Sequence, residues 1–153
     1  RYSLFGEPFG SLMVQTAAIV HDASRLHGLS PSIRTSRGKA ADLMASLEDG
    51  NKLELISITY LKRNLPRVSY GASAGNALGA PAFFGGHIMV LGACDPFHLD
   101  EEGQATPWGF LSSWARQDHL YWMTDEDFLS SWGRFSPFRR VTVKRGNDPL
   151  KIT

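Results

Sequence analysis

The sequence predicts an α+β fold: a single domain with a mostly antiparallel sheet, two helices near the N-terminus and two short helices late in the chain. Three observations carry that expectation. Apolar residues recur at helical spacing up to Leu47, strand-like alternation takes over from Lys52, and two capped aromatic segments follow Thr106 and Thr124.

The elements follow in chain order. Leu12, Val14, Ala18, Ile19, Ala23 and Leu26 form a broad apolar stripe, so a helix is expected over Ser11–Leu26 with Gly28 as its stop. The stretch from Ser30 to Ser36, with Pro31 inside it, reads as a turn-rich linker. Ala40, Leu43, Met44 and Leu47 make the buried face of a second helix from about Arg37 to Leu47, with Ser36 as its cap and Asp49-Gly50 as its end. Lys52 to Leu61 alternates cleanly and carries apolar residues on both faces, the mark of a central strand. Arg67 to Tyr70 reads as a short strand, Gly71 to Pro81 as a loop, and Ala82 to Cys94 as a long strand. Asp95 to Ala105 is an acidic loop.

The segment from Thr106 to Phe138 holds all four tryptophans. It repeats itself as Phe110-Leu-Ser-Ser-Trp114 and Phe128-Leu-Ser-Ser-Trp132. Thr106-Pro107 has the form of a helix start, since Pro at the first helical position gives up an N–H that has no partner there. Thr124 followed by Asp125, Glu126 and Asp127 is a second start, with acids at the positive end of the helix dipole. Between them His119 to Met123 is rich in β-formers. Two short helices around one strand are therefore expected. Phe138 to Arg145 alternates as a strand, and Leu150 to Thr153 is expected to return as an edge beyond a Gly146-Asn-Asp turn.

Composition narrows the function classes. A net charge of +1 gives no global charge argument for nucleic acid. The single cysteine, Cys94, excludes an internal disulfide framework and a cysteine-rich zinc site. The most apolar stretch, Ala80 to Cys94, is broken by Pro81, Gly85, Gly86 and His87 and is no membrane-spanning helix. One cysteine, with neither a signal nor a transmembrane segment in this chain, favours an intracellular setting. No phosphate loop is present: Arg37-Gly38-Lys39 is followed by Ala, and no G-x-G-x-x-G occurs. The sequence calls for no cofactor and no metal. His87, Cys94, Asp95, His98 and Asp100 are ligand types used by zinc, but their spacing fits no metal pattern.

Charge is distributed unevenly along the chain. Asp95, Asp100, Glu101 and Glu102 make one acidic loop, while Arg134, Arg139, Arg140, Lys144 and Arg145 crowd a basic C-terminal hairpin. The leading expectation is a non-enzymatic binding or assembly module. Its basic hairpin and aromatic segment would engage an anionic partner: nucleic acid, a membrane surface or an acidic protein. Acidic loop and basic hairpin meeting between copies would make a homo-oligomer.

The alternative is a serine hydrolase. Gly71-Ala-Ser73-Ala-Gly75 matches G-x-S-x-G and resembles the Gly-x-Ser-Ala-Gly elbow of patatin-like lipases and of one serine peptidase group. That resemblance covers five residues. It implies Ser73 as nucleophile, His98 or His119 as base, and Asp95, Asp100 or Asp118 as the group that orients the base.

Overall fold

The computed structural model describes residues 13–61, 68–70, 73–75, 84–111, 120–132 and 138–146. Their fold is α+β, with three helices on one antiparallel sheet. Helix α1 spans Met13–Leu26, strand β1 Ser32–Ser36 and helix α2 Ala40–Glu48. Strands β2 (Lys52–Leu61), β3 (Val68–Tyr70), β4 (Ser73–Gly75), β5 (Phe84–Cys94), β6 (Trp108–Leu111) and β7 (Tyr121–Met123) follow. Helix α3 (Asp125–Ser131) and strand β8 (Arg140–Lys144) complete the described chain. The strand order is β1-β8-β2-β5-β6-β7-β3-β4, and every neighbouring pair is antiparallel.

The core lies on one face of the sheet. Ile56 and Ile58 of β2, Met89 and Leu91 of β5, and Trp108 and Phe110 of β6 share it, with Tyr121 and Met123 of β7. Leu43 from α2 and Phe128 from α3 close over these residues. Phe128 is fully buried, and its ring centroid lies 4.8 Å from Trp108, 5.1 Å from Phe110 and 5.3 Å from Trp132. Tilted and offset rings at such separations gain attraction beyond the area they bury. Arg139 extends the cluster, its guanidinium 4.7 Å from the Trp132 ring centre, while the Trp132 indole N–H donates to the Arg139 carbonyl at 3.1 Å. Met13 of α1 and Val141 of β8 are also buried but stand outside this cluster, where α1 lies against β1 and β8.

Helix α3 starts as its sequence dictates. The Thr124 hydroxyl accepts the Asp127 N–H at 3.0 Å, and three acids occupy the first turn. Helix α2 begins at Ala40 rather than Arg37, with Lys39 at the cap position and its backbone N–H bonded to the Asp42 carboxylate at 2.8 Å.

Three expectations are corrected. Gly71 to Pro81, expected as a loop, contains strand β4 at Ser73–Gly75, which pairs with β3. The stretch read as a linker contains β1, the strand that pairs with β8 from Ser32↔Lys144 to Ser36↔Arg140. The segment after Thr106-Pro107 is strand β6, not a helix. Thr106 is 2% exposed and committed elsewhere: its N–H donates to the His98 carbonyl at 3.0 Å, and its hydroxyl shares a 2.8 Å hydrogen bond with His98 Nδ1. Trp108 and Phe110 then pair with β5 on one side and β7 on the other, so long-range pairing overrides the local helix signal. Ser112 to His119, with Trp114 among them, lie outside the described residues, as do Arg134 and the expected edge at Leu150–Thr153. Among the described residues, no helix is long and apolar enough to cross a membrane.

Candidate functional site

Strands β1, β8 and β2 lie side by side, and their registers set the side chains of one face in rows. Ser32, Lys144 and Lys52 form the first row. Arg34, Thr142 and Glu54 form the second, and Ser36, Arg140 and Ile56 the third. Strand alternation puts all of these on the face that also carries Ile58 and the core. All but Ile56 line an open cleft of about 630 Å³, together with Gly38 and the Asp42, Ala45 and Ser46 positions of α2. Four basic side chains and two carboxylates therefore face one concavity.

Glu54 is the buried centre of this grid, at 3% exposure. Its carboxylate accepts the Ser46 hydroxyl at 2.6 Å and the Thr142 hydroxyl at 2.8 and 3.0 Å. Those bonds offset much of the cost of taking a charge out of water. Arg140 supplies the countercharge. Its Nε donates to the Ser36 hydroxyl at 2.9 Å, Nη1 lies 3.7 Å from Glu54 and Nη2 lies 3.9 Å from Asp42. Nη1 is buried and has no hydrogen-bond acceptor within range among the described residues. The guanidinium rests against Gly38, where an added Cβ would stand 2.7 Å from Nε; φ there is +64°, the left-handed region that suits glycine.

The first row is electrostatically lopsided. Lys52 and Lys144 are direct cross-strand partners, and like charges directly opposite repel. Asp49 offsets one of them, its carboxylate 2.9 Å from Lys52 Nζ. The Lys52 hydrogen bond, then the Asn51 N–H, hold the Asp49 carboxyl below its ordinary pKa.

The basic hairpin therefore divides. Arg140 and Lys144 face the cleft, joined by Arg34 and Lys52 from β1 and β2, which lie outside the expected basic hairpin. Arg139 lies over Trp132, and exposed Arg145 follows β8 with its N–H donating to the Asn51 carbonyl at 2.9 Å. A signal for the added residues exists in the sequence. Ser32-Ile-Arg-Thr-Ser36, Lys52-Leu-Glu54 and Arg140-Val-Thr-Val-Lys144 each place polar side chains at every second position.

The residues of the hydrolase reading are arranged differently. Ser73 opens β4, whose register places it opposite Tyr70 of β3; a nucleophile elbow has a helix where this chain has a strand. His98 stacks on Trp122, with centroids 3.7 Å apart and planes 9° from parallel, and its Nδ1 is bonded to Thr106. Asp100 Oδ1 accepts the backbone N–H groups of Glu102 at 3.0 Å and Gln104 at 2.8 Å, which folds the acidic loop back on itself. Asp95 Oδ1 likewise accepts the Phe97 N–H at 2.9 Å. Asp118 and His119 lie outside the described residues.

Comparison with family models, with curated proteins and with solved structures returned no match to this chain.

Proposed function

We propose that this protein is a non-enzymatic binding module that receives an anionic group of its partner, a carboxylate or phosphate, in the cleft over β1, β8 and β2. The observation that carries this reading is the excess of cations in a concavity. Arg34, Lys52, Arg140 and Lys144 face it against Asp42 and Glu54. An anion placed there would relieve the Lys52–Lys144 opposition and meet the exposed Arg34 and Lys144 side chains. The size of the cleft, about 630 Å³, falls in the range of small-ligand sites. That shape favours one or two anionic groups, from a small molecule or an acidic protein segment, over a long nucleic-acid track or a flat membrane surface.

The test is a calorimetric titration with pyrophosphate and with a short polyglutamate peptide at low and high salt. Binding is expected, weakening as salt rises. The double variant Arg34→Gln/Lys144→Gln, at two exposed positions, should lose about tenfold in affinity or more while its circular dichroism stays unchanged. Absence of binding at millimolar concentrations, or affinity indifferent to that variant, would overturn the reading.

A further inference from the structure

A second concavity lies on the other side of α2 and has the opposite character. It runs between α2 and the start of α3 as two hollows of about 470 and 340 Å³, which share Met44 and Cys94. Its floor and walls are largely apolar: Met44 is 44% exposed on α2, with Leu47 beside it, and Cys94 and Trp108 form the base. Its rim is acidic. Glu48, Asp125 and Glu126 line it, and no basic side chain does among the described residues.

The far wall is held firmly. Asp125 Oδ1 accepts the Trp108 indole N–H at 2.6 Å, which ties the start of α3 to the floor, and the Thr124 cap fixes the same turn. The negative field reaches the floor as well. The Cys94 thiol is pushed above its ordinary pKa, first by burial and then by Asp125 and Asp95. An apolar trough between two helices with a one-signed rim matches the helix-in-groove mode, where apolar residues on one face of a segment anchor it and flanking charges set its register.

We infer that this groove docks a basic amphipathic helix of a partner protein, with its apolar face on Met44 and Leu47 and its cationic flanks toward Glu48, Asp125 and Glu126. An acidic or uncharged helix of the same apolar pattern lacks the charge complementarity. The site is separate from the anion cleft, so neither proposal depends on the other.

Cys94 is the chain's only cysteine and provides the readout. The probe is a synthetic peptide of Leu and Lys patterned as one amphipathic helix about four turns long, with a Leu/Glu peptide of the same pattern as control. Bound Leu/Lys peptide should slow alkylation of Cys94 by iodoacetamide about tenfold or more; the Leu/Glu peptide should leave it unchanged. Met44→Ser and Glu126→Lys, both at exposed positions, should each weaken the Leu/Lys peptide about tenfold without altering the melting curve. Lys144→Gln should not affect it. Equal protection by both peptides, an unprotected Cys94 in a peptide-saturated protein, or binding that survives both groove variants would overturn the inference.

Discussion

The two ends of one sheet face are built on opposite principles. Over β5, β6 and β7 the face is closed by rings, with Phe128 in contact with Trp108, Phe110 and Trp132. Over β1, β8 and β2 the same face carries lysine, arginine, glutamate and hydroxyl groups around an open cleft. Helix α2 spans the boundary, with fully buried Leu43 in the aromatic core and Ser46 bonded to Glu54 at the polar end. The contrast assigns the jobs. Ring burial supplies stability at the first end. The second end has little apolar area to contribute, and its groups are held by hydrogen bonds and charge. A polar grid is a poor way to stabilise a fold and a suitable way to hold an ion.

The largest effect expected from this division is at Phe128. Phe128→Ala removes a fully buried ring from the centre of the cluster and should cost about 3–5 kcal/mol in chemical denaturation. Where the variant remains folded, its affinity for pyrophosphate should match the parent's. A loss below about 1 kcal/mol would mean that the aromatic end is not the stabilising half.

The next effect belongs to the polar end and takes the form of a cycle. Arg140→Met leaves the Glu54 charge buried with only the Ser46 and Thr142 hydroxyls, at a cost of about 3 kcal/mol. The lower part of the range for broken buried pairs applies because Nη1 and Glu54 are 3.7 Å apart. Glu54→Gln leaves the guanidinium without its buried countercharge. If the two groups are coupled, the double variant should cost at least about 1 kcal/mol less than the two singles together. Anion binding should vanish in Arg140→Met. Additive costs would break the comparison by showing Arg140 and Glu54 to be independent.

How legible the molecule was in its sequence differs between the same two ends. Helix α3 was plain, because the Thr124 cap and the acids after it act within a single turn. Strands β2 and β5 were plain too, since β2 alternates over ten residues and β5 is a long apolar run around His87–Leu91. The first copy of Phe-Leu-Ser-Ser-Trp misled. Thr106-Pro107 carries a helix signal, yet Thr106 binds His98 and the next residues are claimed by β5 and β7. The polar cleft was the least legible part. Its grid exists only because Ser32–Ser36 pairs with a strand more than a hundred positions away, as the Arg140 Nε to Ser36 hydroxyl bond across 104 residues shows. Neither β1 nor the cleft has a local signature beyond alternating Ser, Arg and Ser, which a turn-rich reading absorbs equally well. Basic residues close in sequence at 139, 140, 144 and 145 do not share one site, because successive strand residues face opposite sides.

The smallest expected effect, at the seam of the two ends, is a pH dependence. His87 lies in β5 opposite Ile58 of β2 and is half-buried; burial lowers its pKa from 6.5 to about 4. A histidine kept neutral by folding takes up its proton more readily in the unfolded chain. Its contribution is therefore fully present above pH 6.5 and is lost as pH falls from 6.5 toward about 4. One proton sets a slope no steeper than about 1.4 kcal/mol per pH unit, and contact with solvent makes it shallower. Denaturation of the parent and of His87→Gln at several pH values across that window isolates the term. The parent should lose more stability than the variant on acidification, and the difference between them should shrink at acid pH. If the gap stays constant from neutral pH down to about 4, the ring is as protonatable in the fold as in the unfolded chain, and the dry end of the face stops short of His87.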